Sequence, residues 1–201
     1  MKKIISVILA AVMLFALAGC GAEGLPEVDK TALEVLTEIR DGMPEDQHFM
    51  SFGGDYDAAV ENAPGPHAIG DGSDLENGIG YPAANISMID EAASMRHMLN
   101  ANTFTCGAYH LTEDADIDEV CKGIRDSLMN RAYMCGWPET LYVIKIGSRL
   151  VVTVFGANDL VTAFKDKAVE IYGDAAVVAI EEDMSTAGGD NTASFAVPER
   201  G

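Results

Sequence analysis

The feature that most constrains the fold is a regular succession of apolar patterns in the second half of the chain. Residues 103–111 alternate between two faces with period two, which predicts a β-strand. Asp116 and Glu119 then form a capping-box pair, which predicts the start of a helix. Apolar residues follow at helical spacing, and Gly136 followed by Pro138 predicts the end of this helix.

The same succession continues with a hairpin, a second helix and a last strand. Residues 141–146 and 150–155 are rich in β-branched side chains, and the Gly-Ser pair between them suits a tight turn. Apolar residues at helical spacing predict a helix over about residues 158–173. Residues 175–180 are apolar and predict the last strand.

Strand, helix, strand, strand, helix, strand is the order of the split βαβ, or ferredoxin-like, arrangement. The sequence therefore predicts an α+β fold with a four-stranded antiparallel sheet, both helices on one face, and the first and third strands at the centre. Both alternating sets of the hairpin strands are apolar, so the second face of the sheet also needs a cover. We expect the residues before 100 to supply it, with a partner or a ligand as alternatives.

The region before residue 100 has weaker patterns. Apolar residues at helical spacing predict a helix from about Asp29 to Arg40. Residues 41–81 are rich in Gly, Pro, Asp and Asn, and an irregular stretch of this length is either functional or poorly ordered. We further predict a strand over residues 85–89 and a short helix over residues 90–99.

An export signal occupies the start of the chain. Lys2 and Lys3 precede an apolar run over residues 4–17, shorter than the ~20 residues of a comfortable spanning helix. The Leu-Ala-Gly-Cys of residues 17–20 resembles the lipobox of bacterial lipoproteins, in which the thiol is acylated and the cysteine becomes the new N-terminus. We therefore predict that Cys20 is lipidated and tethers the protein to the extracytoplasmic face of the cell membrane. An ordinary secretory signal or an uncleaved anchor is the alternative.

These patterns divide the chain into five parts. Residues 1–19 form the signal peptide, and residues 20–27 form the lipidated N-terminus and a short tether. Residues 28–102 hold the N-terminal helix, the Gly-rich region and the strand and helix that follow it, and residues 103–182 form the ferredoxin-like core. Residues 183–201 have few apolar side chains, which predicts a disordered tail.

A strong excess of acidic residues limits the partners. The chain has 32 Asp and Glu against 13 Lys and Arg, a formal net charge of −19. Because such a surface repels polyanions, we expect neither nucleic acid nor anionic lipid headgroups as partners. Attachment to the membrane would then depend on the lipid on Cys20, with the acidic surface keeping the exported part in solution.

No combination of residues assigns a catalytic, cofactor or metal site. Apart from Cys20, the exported domain has an odd number of cysteines: Cys106, Cys121 and Cys135. We expect them to be free, buried thiols, although Cys106 could face Cys121. His110 shares a strand face with Cys106, but four residues of strand place them ~13 Å apart, too far for a dyad. The other histidines could approach a cysteine, but their spacing gives little support for a metal site: His48, His67 and His97.

The lipobox, the acidic mature chain and the run over residues 104–172 carry a family resemblance. With the hairpin Leu-Tyr-Val-Ile-Lys-Ile-Gly-Ser-Arg-Leu-Val-Val-Thr-Val at residues 141–154, the chain resembles an uncharacterised lipoprotein family of Gram-positive, largely clostridial bacteria, known only as a domain of unknown function. The resemblance covers about the later two thirds of the mature chain, and the sequence departs from it in the Gly-rich residues 52–80 and in its added cysteines. It implies a small exported α/β module and no catalytic residue.

These observations predict a lipid-anchored extracytoplasmic module that binds a small solute or an envelope protein. We expect its site on the open sheet face or in a cleft between the sheet and the Gly-rich region. An envelope hydrolase using a Cys or a carboxylate with a His is one alternative. A purely structural envelope lipoprotein is the other, and the sequence leaves open whether the protein is an enzyme.

Overall fold

The computed structural model describes residues 24–70 and 74–186. The predicted signal peptide, Cys20 and the tail after residue 186 lie outside these two ranges. None of the helices within the ranges combines the length and apolar character that crossing a membrane requires.

Strands and helices of the described ranges follow the predicted α+β class. Three α-helices lie in these ranges: α1 (Ala32–Gly42), α2 (Ile117–Met129) and α3 (Asn158–Tyr172). A π-helical turn, called the π turn below, spans Leu75–Ile79. The strands are β1 (Ser51–Gly53), β2 (Val60–Glu61), β3 (Gly65–His67), β4 (Ile89–His97), β5 (Phe104–Leu111), β6 (Thr140–Ile146), β7 (Leu150–Gly156) and β8 (Ala176–Asp183).

The eight strands found in the described residues belong to one antiparallel sheet. Their order is β2-β1-β4-β5-β7-β6-β8, and β3 also pairs with β4. The predicted order of elements along the second half of the chain is confirmed, including the β6–β7 hairpin, in which Ile146 lies opposite Leu150. Asp116 caps the start of α2 as expected, because its carboxylate accepts from the backbone N–H groups of Asp118 and Glu119. The predicted end of this helix at Gly136 is wrong, since α2 ends at Met129 and Asn130 is its C-cap.

The prediction of a ferredoxin-like sheet with both helices on one face is wrong. β8 pairs with β6, since β4 occupies the edge of β5 where a ferredoxin-like fold places its last strand. The four predicted strands therefore lie in the order β5-β7-β6-β8. The connections from β5 to β6 and from β7 to β8 run in the same direction across the sheet, but their starting strands are antiparallel. Two right-handed connections therefore place α2 and α3 on opposite faces of the sheet.

Each face of the sheet has its own hydrophobic core. Side chains of β5 alternate between them: Phe104 and Cys106 pack with α1 and α3 on one face, called the α1/α3 face, and Tyr109 and Leu111 pack with α2 on the other, called the α2 face. The predicted helix-free second face, covered by residues before 100, does not exist, because α2 and α3 each lie on a different face. Residues before 100 add to both covers: α1 packs beside α3, and the π turn packs on the α2 face.

The predicted strand over residues 85–89 and helix over residues 90–99 are wrong. Ala83–Met88 form a 3₁₀ helix, and the next nine residues form β4, which pairs with strands on both sides. The small residues 92–94 are buried between the two layers, where their size suits a central strand. Pairing at both edges of β4 thus overrides the helix preference of its alanines.

The first helix and the Gly-rich region are both ordered over the described residues. The Thr31 side chain accepts from the Glu34 N–H while the Glu34 carboxylate accepts from the Thr31 N–H, and this capping box starts α1. Residues 41–81 hold β1, β2, β3 and several short turns, with residues 71–73 outside the described ranges. This region is therefore built into the sheet.

The ordered core continues past its predicted boundary at residue 182. β8 ends at Asp183, and the next residue, Met184, is completely buried in the core of the α2 face. The prediction of disorder is therefore wrong for residues 183–186.

Candidate functional site

A cleft of about 380 Å³ opens on the α2 face, at the end of the sheet where β4 ends and β5 begins. Arg96 on β4 and Phe155 on β7 lie in its floor, in one row of the sheet with Thr105 of β5 between them. One wall is the π turn, and the other is the loop after α2. The cleft thus lies between the sheet and the Gly-rich region, one of the two locations expected from the sequence.

Arg96 brings a buried positive charge to the cleft. Its side chain is 1% exposed, and its guanidinium lies 4.9 Å from the ring centre of Phe52 and 4.4 Å from that of Tyr56. Nη2 donates a hydrogen bond of 3.1 Å to the carbonyl of Gly54, and Nη1 lies 3.7 Å from a carboxylate oxygen of Asp74. Nε is buried without a hydrogen-bond partner among the described residues. Since a buried charge needs compensation, this guanidinium is only partly satisfied.

Arg131 supplies a second positive charge from the opposite wall. It follows the end of α2 and donates a hydrogen bond to the backbone carbonyl of Glu76 in the π turn. Its guanidinium carbon lies 5.9 Å from the ring centre of Tyr133. Within the described ranges, no carboxylate lies within ion-pair distance of Arg131.

These two arginines are the least neutralised bases in the described part of the chain. Of the 13 Lys and Arg, Lys2, Lys3 and Arg200 lie outside that part, which leaves ten. Eight of the ten have a carboxylate oxygen within 3.5 Å. The remaining two are Arg96 and Arg131. The whole chain has more acidic than basic residues, so a shortage of acidic residues does not explain why these two arginines lack close carboxylates. Both instead line one cleft.

The π turn is shaped by a glycine that touches the charged pair. A Cβ on Gly78 would lie 2.8 Å from Nη1 of Arg96 and 2.7 Å from Oδ2 of Asp74. Only a residue without a side chain leaves that space open. Leu75 and Ile79, at the two ends of the turn, are buried in the core of the α2 face and hold the turn in place.

The loop after α2 is fixed by an asparagine from the β4–β5 turn. Asn102 Nδ2 donates hydrogen bonds of 2.7 Å to the carbonyls of both Met134 and Gly136. Tyr133, in the same loop, packs its ring against Phe155 with 6.4 Å between ring centres. Burial raises the pKa of Tyr133 to about 12, with Arg131 acting in the opposite direction, so the phenol is neutral at physiological pH. The cleft therefore combines two positively charged side chains with an aromatic surface.

The three cysteines expected to be free are free thiols, but they do not come together. Cys106 is buried on the α1/α3 face and Cys121 on the α2 face, so the suggested approach of these two across one interface is wrong. Burial raises the pKa of both, in the case of Cys121 to about 12. Cys135 is exposed instead of buried, in the loop after α2.

The four histidines lie apart from the cysteines in the hydrogen-bond network of the described residues. His110 pairs with Asp90, and the buried His67 lies 3.1 Å from a carboxylate oxygen of Asp55. His48 contacts the carbonyl of Arg40. The ring of His97 accepts from backbone N–H groups of the β4–β5 turn. No histidine makes a hydrogen bond with a cysteine here, and the described ranges contain no group of acidic, His or Cys side chains that could hold a metal ion.

Both arginines were missed from the sequence. The available signal was a base inside the apolar stretch that became β4, in a chain where bases are scarce. Assigning residues 90–99 to a helix gave no reason to expect Arg96 in a sheet floor. No sequence pattern pointed to Arg131, because its role depends on the contact between the π turn and the end of α2.

Comparison with known proteins found no match for this chain. No family model matches the sequence, no curated protein matches it, and no solved structure matches the fold. The proposals below rest on the sequence and on the geometry of the cleft.

Proposed function

We propose that the protein is a lipid-anchored lipoprotein of the extracytoplasmic membrane face that binds a small solute in the cleft. The observation that carries the proposal is a concave site of about 380 Å³ lined by two arginines that lack close carboxylates. Small-molecule sites of about 300–1,000 Å³ with an apolar lining and a few polar groups are typical of binding proteins. The lipobox at residues 17–20 and the resemblance to a lipoprotein family support the anchor.

The described tether residues lie far from the cleft. A Cβ on Gly147, in the β6–β7 turn, would lie 2.8 Å from the carbonyl oxygen of Pro26. This turn lies at the opposite end of the sheet from Arg96, since Ile146 and Phe155 are at opposite ends of the paired strands. A strand of seven residues spans roughly 23 Å. A lipid on Cys20 would therefore attach the end of the domain remote from the cleft, which leaves the cleft open to solutes.

Solute binding is favoured over hydrolysis by the residues that line the cleft. The described lining contains no Cys, Ser, Thr or His, and its single carboxylate, Asp74, lies beside Arg96. A covalent mechanism needs a nucleophile with a base within reach, and paired-carboxylate chemistry needs two acids. Solute binding is also favoured over docking of an envelope protein, because the site is concave rather than a broad flat face.

The proposal is tested by identifying what the protein retains. The full chain is purified from native membranes in a non-ionic detergent and denatured, and the released small molecules are identified by mass spectrometry. A Gly78→Ala variant, whose new Cβ collides with Arg96 and Asp74, is purified in the same way for comparison. We expect a solute in near-stoichiometric amount from the natural chain and a loss of most of it from the variant. Equal amounts from both chains, or no solute from either, would contradict the proposal.

A further inference from the structure

We infer that the solute is a small organic anion, with one carboxylate or phosphate group held between Arg96 and Arg131 and a flat apolar part against the aromatic side chains. This inference rests on the proposed function and adds the class of ligand. Its basis is the charge of the cleft, the unused hydrogen-bond donors and the nature of the remaining surface.

The charge of the cleft is opposite to that of the protein. The chain carries a net charge of −19, yet the described cleft lining has two arginines and one aspartate. The single carboxylate lies 3.7 Å from Arg96, longer than the ion pairs of the other bases. A buried guanidinium is costly without a close counter-charge, and an anionic ligand supplies that charge where the described residues do not.

Hydrogen-bond donors remain free on both arginines. A guanidinium has five N–H donors, and Arg96 and Arg131 each use one of them on a backbone carbonyl of the described residues. Those carbonyls belong to Gly54 and Glu76, so the two side chains are held by different segments of the Gly-rich region. Fixed guanidinium groups suit carboxylate and phosphate oxygens, which accept two parallel N–H bonds from an arginine.

The rest of the ligand meets a surface that is partly apolar and partly lined by the amides of Asn77 and Asn102. Tyr133 and Phe155 present aromatic rings, and Ala101, Ala132 and Met134 add aliphatic contacts. A flat apolar group fits such a surface, because aromatic rings favour offset stacking and edge contacts. Polyanions are disfavoured by the acidic surface outside the cleft, so the charge of the ligand is confined to one group.

The test uses the full chain in a non-ionic detergent and four probes. They are 3-phenylpropionate, phenyl phosphate, the neutral 3-phenylpropan-1-ol and inorganic phosphate. Trp137 is the only tryptophan of the chain, and its ring centre lies 5.8 Å from that of Tyr133, so its fluorescence reports on the cleft. Isothermal titration calorimetry gives the dissociation constants independently of fluorescence.

Arg131→Gln is the informative variant, and Lys122→Gln is its matched control. Both remove one positive charge, but Lys122 is exposed on α2 and pairs with Asp126 outside the cleft. Arg96 is less suitable because its loss leaves a hole in the buried floor. We expect at least one of the two aromatic anions to bind at least tenfold more tightly than the alcohol and inorganic phosphate. We expect Arg131→Gln to weaken that binding at least tenfold and Lys122→Gln to leave it within twofold.

The outcomes separate the inference from the proposed function. Tighter binding of phenyl phosphate or of 3-phenylpropionate assigns the anionic group, and either result supports the inference. Equal binding of the alcohol, equal binding of inorganic phosphate, or no effect of Arg131→Gln overturns it while leaving solute binding intact. If no probe binds, the retained solute decides: an aromatic or otherwise flat anion supports the inference, and a neutral solute overturns it. Absence of any retained solute overturns both proposals.

Discussion

The hydroxyl of Tyr172 on α3 donates a hydrogen bond of 2.8 Å to the carboxylate of Glu38 on α1. These residues are 134 positions apart in sequence, and their bond joins the two helices that cover the α1/α3 face. Lys30 pairs with the same carboxylate, so Glu38 links the segment before α1 to α3.

Replacing Tyr172 by Phe removes only the hydroxyl of this contact. We expect Tyr172→Phe to lower the free energy of unfolding by about 1 kcal/mol, since a net protein hydrogen bond contributes about that much. Urea unfolding at pH 7, followed by circular dichroism, measures the difference. A midpoint equal to that of the natural chain would contradict a stabilising role for the bond.

The same carboxylate makes part of the stability depend on pH. The hydrogen bond from Lys30, helped by that from Tyr172, holds the pKa of Glu38 below its usual value. Its contribution is therefore present above the unfolded-state pKa of about 4.3 and is lost as the pH falls through the folded-state pKa. Glu38→Gln should destabilise the protein at pH 7 and have a smaller effect below about pH 4. A difference in unfolding free energy that does not change between these pH values would contradict this assignment.

Gly78→Ala should impair binding more than folding. Its Cβ would collide with the ends of the Arg96 and Asp74 side chains, and the 40% exposed Asp74 can move away without disturbing the apolar core. We expect at least a tenfold loss of affinity for the retained solute, measured by calorimetry, with little change in the circular dichroism spectrum. Gly24→Ala is the control, because a Cβ there meets no atom within 4 Å. Unchanged affinity would show that the pair does not shape the site.

Thiol labelling should distinguish the cysteines by burial. In the folded protein, we expect a maleimide to react with Cys135 alone among the described thiols, since Cys106 and Cys121 are buried and have raised pKa values. In denaturant the lipidated chain should take up three labels. Mass spectrometry of the labelled protein counts them, and Cys135→Ala should take up none when folded. Rapid native labelling of Cys106 or Cys121 would contradict the burial of these thiols.

A fourth label in denaturant would report a free thiol at Cys20. We expect Cys20→Ala to abolish metabolic incorporation of labelled fatty acid and to reduce the fraction of the protein in sedimented membranes. Cys135→Ala serves as the matched control, because it removes a cysteine without touching residues 17–20. Full acyl labelling of Cys20→Ala, or unchanged behaviour of both variants, would contradict the anchor.

Local patterns were sufficient for the second half of the chain. The strand over residues 104–111, the capped start of the helix after Asp116 and the β6–β7 hairpin are each specified by periodicity, a cap or a turn close in sequence. The same reasoning failed for β4, where small residues with a helix preference form a central strand. That choice depends on partners at both edges, and those partners are distant in sequence.

The sequence by itself determined the α+β class, the succession of elements from residue 103 and an acidic surface, because propensity, periodicity and charge are local properties. Only the tertiary structure decided that β4 rather than β8 pairs with β5, which places the helices on opposite faces of the sheet. The cleft was also determined only by the tertiary structure. Arg96 and Arg131 are brought together by the π turn and the end of α2, and no local pattern encodes the meeting of segments so far apart in the chain.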